Sequence, residues 1–313
     1  MIIQTGMRTD IPAFYSSWLI NRIKEGYVLV RNPYNPLQVA RYDLSPEVVD
    51  LICFCTKNPG PMLSKIDLLK SYGMFWYITI TCYDRDMEPG VPNRSKVISD
   101  FKELSAKIGK NSIGWRYDPI IIDDKYTLEY HLKVFEEIAS SLCGYTDTCV
   151  ISFVDIYSKV KKNAPDIRPV SKTNQVVLGK AMIEIAAKYG LTVRPCGEGD
   201  FLAEYGADCS GCMTKDIYER VLGAKLQIPK SRVLREECAC TMGVDIGAYN
   251  SCMHLCRYCY ANYDNELVRR NFNSHDENSP YLFGNSIEGE EIHISEQKSW
   301  IDRQLTLDMF LGD

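Results

Sequence analysis

Residues 112–154 read SIGWRYDPIIIDDKYTLEYHLKVFEEIASSLCGYTDTCVISFV, and the fold is decided in this stretch. Its two ends, 112–116 and 149–154, are short apolar runs rich in strand formers. Between them, TLEYHLKVFEEIASSL (127–142) sets Leu128, Leu132, Phe135, Ile138 and Leu142 on one stripe at helical spacing. Strand, helix, strand in so short a span is one crossover unit of a parallel sheet.

The same unit recurs on both sides. Strand-like runs lie near 2–5, 50–55, 75–82 and 191–194, and helical stretches near 12–25, 62–72, 95–108 and 173–189. Thr173 is the expected N-cap of the last helix and Gly190 its C′ residue. Residues 27–42 interrupt the alternation with a predicted hairpin whose turn holds two Asn-Pro pairs. The expected fold is therefore α/β, a partial (β/α)6 TIM-like barrel; the closed eight-unit form takes about 250 residues, and here the alternation stops near 195. We expect a barrel domain over 1–195 and a cysteine-rich segment with a polar tail over 196–313, including a short helix near 215–222.

Composition narrows the function classes. The chain has 313 residues, 45% hydrophobic, with a formal net charge of −5, so no global field attracts nucleic acid. No uninterrupted apolar run reaches the length of a membrane span, and the N-terminus has no signal-peptide pattern; a cytoplasmic location is expected. Thirteen cysteines are many for such a chain. In a reducing compartment, clustered cysteines bind metal or do redox work.

Cys252, Cys256 and Cys259 are spaced C-x3-C-x2-C in SCMHLCRYCYAN. Three thiolates at this spacing suit an iron–sulfur cluster, leaving one iron open, better than four-ligand structural zinc. A second group holds the C-x2-C pair Cys209 and Cys212, the C-x-C pair Cys238 and Cys240, and Cys196 at the end of the last strand. Two such pairs can close a four-thiolate site. Cys196 competes with Cys209 for one place, and we favour Cys196, Cys212, Cys238 and Cys240, holding either a second 4Fe-4S cluster or zinc. Cys53, Cys55, Cys82, Cys143 and Cys149 lie in apolar contexts, and for most of them a buried core thiol is the expectation.

Several stretches together carry a family resemblance: RTDIPAFY (8–15), TKNP (56–59), ITITCYDRDMEPGVP (78–92), WRYDPI (115–120), SFVDIYSK (152–159) and DIGAYNSCMHLCRYCYAN (245–262). The chain resembles the uncharacterised family catalogued as domain of unknown function 1848, whose C-terminal cysteines are similar to the radical S-adenosylmethionine motif. Tyr258, directly before the third cysteine, occupies an aromatic position typical of those enzymes. TKNP is similar to the Thr-Lys-Ser element of spore photoproduct lyase; Cys55 stands before it where Trp is expected.

The resemblance implies a radical enzyme. A 4Fe-4S cluster would bind S-adenosylmethionine at the barrel mouth, cleave it and yield a 5′-deoxyadenosyl radical that takes hydrogen from a substrate. An electron donor such as flavodoxin or ferredoxin is implied. The cofactor-binding candidates are Lys57, Asn58, Thr81, Arg116, Asp118, Ser152 and Tyr258. Lys57 or Arg116 would meet the cofactor carboxylate, and Asn58 and Asp118 its amino group or ribose. Tyr258 or Tyr260 would pack near the adenine.

The chain's own pattern converges, because each matched motif follows a predicted strand, where parallel α/β folds bind ligands. Arg8, Thr9, Asp10, Tyr83, Asp155 and Glu198 complete that polar ring. Two other classes share the cysteines: an iron–sulfur electron-transfer protein and a zinc-binding nucleic-acid-associated protein. DNA or a sliding clamp enters as a partner through Gln304, Leu307, Phe310 and Leu311, a clamp-peptide-like spacing also open to an amphipathic terminal helix. Lys159–Lys162 reads as a solvated basic face.

Overall fold

The computed structural model describes residues 1–229, 238 and 240–303; the clamp-like spacing from Gln304 to Leu311 lies outside them. The chain is mixed α/β, built on a large parallel sheet flanked by helices. Its strands are β1 (Ile2–Gln4), β4 (Leu51–Thr56), β5 (Gly73–Thr79), β6 (Ile113–Ile120), β7 (Thr148–Phe153), β8 (Thr192–Pro195) and β9 (Val244–Asp245). The order is β8-β7-β6-β5-β4-β1-β9, with every pairing parallel. Six strands thus follow in chain order, and the seventh, β9, returns from the cysteine-rich segment to pair with β1. The β8 and β9 edges are not paired with each other among the described residues.

The expected hairpin forms between β2 (Tyr27–Arg31) and β3 (Gln38–Asp43), and β10 (Glu291–Ile294) adds to β3 in parallel. Residues after 196 therefore supply strands to both sheets. The N-terminal amine of Met1 also donates to the Lys298 carbonyl at 3.0 Å.

Pleating separates two cores. Along β4, Ile52 and Phe54 face one side, while Leu51 and Cys53 face the other. On the first side, Trp76, Trp115 and Ile151 pack against α2 (Ser16–Glu25), α3 (Arg94–Ile108), α4 (Leu128–Leu142) and α6 (Lys172–Lys188), the short α5 (Ser158–Asn163) preceding α6 in the chain. On the second, Phe75, Tyr77 and Val150 pack against Cys212, Met213 and α7 (Lys215–Leu222). Gly114 makes room for this: a Cβ there would lie 2.4 Å from the Tyr77 ring, whose hydroxyl donates to the Cys212 carbonyl.

Several expectations are corrected. In place of the helix expected over 62–72 the chain makes two 3-10 turns, Gly60–Met62 and Ile66–Leu69. Met62, Ile66 and Leu69 are buried at a spacing that short turns meet as well as an α-helix does. The 12–25 helix breaks at Tyr15 into α1 (Ile11–Phe14) and α2. Ser171, not Thr173, caps α6, accepting from the Asn174 amide. On α4, His131 and Val134 are buried more deeply than Leu128 and Leu132. Cys143 is exposed, since it follows the last helical residue of α4 into a turn.

Candidate functional site

A cavity of about 340 Å³ opens at the carboxyl ends of the parallel strands. Each strand hands residues to it: Thr9 and Asp10 after β1, Lys57 after β4, Arg116 and Asp118 on β6, Ser152 on β7 and Cys196 after β8. The loop after β9 closes the ring with Cys252, His254, Cys256, Tyr258 and Cys259, and Cys212, Cys238 and Cys240 complete the wall. One cavity therefore collects both cysteine groups and most of the polar candidates. Asn58 and Thr81 do not line it. Asn58 turns back to accept from the Gly60 amide, and the Thr81 hydroxyl donates to Glu88. Cys209 also lies off this wall.

The loop carrying the triplet is fixed at many points. His254, between the first two cysteines, contacts Asp10 Oδ2 through Nε2 at 2.9 Å and the Gly90 carbonyl through Nδ1 at 3.1 Å. Asp10 also caps α1 and accepts from the Lys57 amide at 2.8 Å, tying the loop to the end of β4. A Cβ on Gly90 would stand 2.3 Å from the Met253 carbonyl, so only glycine allows this approach. Tyr15 donates to the Ser251 carbonyl, and Asn262 to that of Cys252. These anchors hold Asn250 and Leu255 in the left-handed region, at φ 56° and 54°, a conformation costing a non-glycine residue about 1–2 kcal/mol.

Beside Cys256, one oxygen of the buried Glu88 carboxylate accepts from Lys57 Nζ at 2.9 Å, from Thr81 Oγ1 at 2.8 Å and from the Tyr258 hydroxyl. Burial opposes the charge on Lys57, but Glu88 and Cys256 together outweigh it and keep the ammonium protonated. Lys57, expected to meet a cofactor carboxylate, thus already has a carboxylate partner inside the chain. So does Arg116: its Nε and Nη2 lie 3.1 and 2.5 Å from Asp118 Oδ2.

The thiols are desolvated. Burial pushes Cys252, Cys256 and Cys259 above the ordinary thiol range, so deprotonating them requires a cation. In the second group, Cys212 Sγ lies 3.6 Å from Cys196 Sγ and 3.4 Å from Cys240 Sγ. The bond with Cys212 holds the Cys240 thiol below its usual value. Among the described residues, no three His, Cys, Asp or Glu side chains converge closely enough to hold one metal ion, so neither group is a finished mononuclear site. The chemistry of the donor set still fits thiolate-held metal, since eight cysteines without disulfide partners, the seven expected ligands and Cys55, line one partly enclosed cavity.

Sequence reasoning missed Glu88, His254 and Cys55. Cys55, read as a core thiol, lies on the cavity wall, where burial pushes it up to about 12. Two steps along β4 from Cys53, it faces the same side, and period-two alternation was the available signal. His254 was marked only by its place inside the cysteine motif. For Glu88, whose partners lie up to 170 positions away, there was no local signal.

No helix among the described residues is long and apolar enough to cross a membrane. No curated protein matches the chain. The family described as Domain of unknown function (DUF1848) matches residues 2–261, from β1 through the last cysteine of the triplet, and the chain belongs to it.

Proposed function

We propose that the protein is a radical S-adenosylmethionine enzyme. The observation that carries this reading is the joint placement of Cys252, Cys256 and Cys259 with Lys57, Arg116, Asp118 and Ser152 around one cavity at the strand ends. On this reading the sheet is a six-unit partial barrel, with β9 joined to its first strand and the triplet loop delivered from the back of the chain.

Cys252, Cys256 and Cys259 would hold a 4Fe-4S cluster. When bound, that cluster supplies the electron that cleaves S-adenosylmethionine to methionine and a 5′-deoxyadenosyl radical. Cys196, Cys212, Cys238 and Cys240 would hold a second metal centre. The chain's own groups then have definable tasks. Lys57, its charge shared with Glu88, offsets negative charge beside Cys256. His254 and Asp10 fix the triplet loop to α1 and β4. Ser152 would offer a hydroxyl to the ligand, and Tyr258 lines the cavity with a buried ring that would help exclude water. A small flavodoxin- or ferredoxin-type protein would supply the electron.

The test is anaerobic reconstitution of the full chain with iron and sulfide. Cys256→Ala should hold about four irons and four sulfides fewer than the parent, and in the parent reductant should release 5′-deoxyadenosine from S-adenosylmethionine. Iron bound without cleavage would replace this reading with electron transfer. Zinc bound without colour would replace it with a zinc-protein reading.

A further inference from the structure

Arg116 lies on the cavity wall as expected, but its partners are not the expected ones. Its position on β6 suggested a contact with ligand carboxylate, but the guanidinium is engaged on both sides. Nε and Nη2 form a fork on Asp118, and Nη1 points to Cys212 Sγ at 3.7 Å. Cys212 is the sulfur that touches both Cys196 and Cys240. Arg116 also lies over the Tyr77 ring at 5.3 Å, and Tyr77 donates to the Cys212 carbonyl, so the cation is held from below by the residue that fixes this cysteine's backbone. Arg116 and Asp118 are both mostly buried, with side chains 13% and 15% exposed.

A thiolate group collected around a divalent metal carries excess negative charge, and a buried site cannot rely on water to disperse it. A cation hydrogen-bonded to a ligand sulfur offsets that charge, and outer contacts of this kind change metal affinity about 10–100-fold. The carboxylate on the far side of the guanidinium sets how much positive charge reaches the sulfur.

We infer that Arg116 and Asp118 form a charge-setting pair for the Cys196–Cys212–Cys238–Cys240 centre, with Arg116 as a positioning residue for that metal site instead of a substrate anchor. The inference rests on the proposed second metal centre and adds its outer shell. It also gives the two cavity cations separate duties. Lys57, with Glu88, serves the triplet; Arg116, with Asp118, serves the second group.

The test uses opposite signs. Cobalt(II) alone, titrated anaerobically into the full-length protein, gives a thiolate charge-transfer band; the part lost in Cys212→Ala belongs to the second group. In that part, Arg116→Gln should weaken cobalt binding about tenfold. Asp118→Asn, which frees the guanidinium from its neutralising partner, should strengthen it, and Arg116→Lys should stay closer to the parent than Arg116→Gln does. Weakening by both Arg116→Gln and Asp118→Asn would mean that the pair only supports packing, and would overturn the inference. Affinity unchanged in both would overturn it equally. No cobalt band assignable to Cys212 would remove the second metal centre itself, a failure distinct from the other two.

Discussion

On one face of the large sheet Phe54 stacks on Trp76 at 3.8 Å and Trp115 lies 4.8 Å from Phe135. On the other, strands of the same sheet present Cys53, Tyr77 and Val150 to Cys212, Met213 and Tyr218. The first face is closed by helices with large apolar side chains. The second is closed by the cysteine-rich segment, through polar and sulfur contacts that the cavity leaves incomplete. Stability therefore resides unequally on the two faces. The helix-covered face should hold the fold without metal, and the cysteine-covered face should depend on what fills it.

The largest expected effect breaks the helix-covered face. Trp115 is fully buried, and its indole donates to the Ile80 carbonyl at 2.9 Å. Trp115→Ala should cost about 3–5 kcal/mol, read from urea unfolding, and the loss should be the same with and without iron and sulfide. A loss that disappears on metal loading would end the distinction between the faces.

Next comes the junction between cavity and sheet. Glu88→Ala leaves Lys57, Thr81 and Tyr258 without their shared acceptor. Removing one member of a buried ion pair costs about 3 kcal/mol. Amide exchange should locate the damage: residues 250–261 should lose protection while β5 and β6 keep theirs. Uniform loss across the sheet would mean that the triplet loop and the core unfold as one unit.

A smaller effect isolates the cysteine-covered face. Tyr77→Phe deletes only the hydroxyl that reaches the Cys212 carbonyl, leaving the aromatic packing against Gly114. It should cost about 1 kcal/mol in urea unfolding. An unchanged midpoint would show that Cys212 is positioned without this bond.

The two faces were not equally legible in the sequence. Helix-side positions follow local periodicity, so Phe135, Ile138 and Leu142 declared themselves on one stripe, and six strands of the large sheet could be located. The seventh, Val244–Asp245, is two residues long and shows no period at all. It nevertheless brings the triplet loop to the same carboxyl end of the sheet as the other motifs. On the cysteine side, the residue types were legible and the pairings were not. The order Lys57, Glu88, Arg116, Asp118 along the chain does not say which cation takes which carboxylate; that is settled by which strand ends face each other. Cys55 illustrates the same limit, since an apolar strand context fits a core thiol and a cavity thiol alike.

The smallest effect is a pH dependence on the helix-covered face, away from all the cysteines proposed as ligands. His131 is fully buried on α4. Tyr117 lies 2.8 Å from Nδ1 and the Ile121 carbonyl 2.8 Å from Nε2. The carbonyl can only accept, so Nε2 carries the proton, and in the neutral imidazole favoured by burial Nδ1 accepts from the tyrosine. Burial holds its pKa below the ordinary 6.5, against weaker opposing effects from Ile121 and Asp123. The unfolded chain then binds more protons than the folded one once pH falls below about 6.5, so stability should decline there, with a slope limited to about 1.4 kcal/mol per pH unit for one proton. It should be flat with respect to this group above that range. His131→Gln retains an acceptor for Tyr117 and a donor for Ile121 but cannot titrate. Urea midpoints of parent and variant between pH 7.5 and 5.5 should therefore converge as pH falls. Parallel curves would mean that His131 takes up its proton in the fold as readily as in the unfolded chain, and the apolar closure assigned to this face would have to admit a buried cation at low pH.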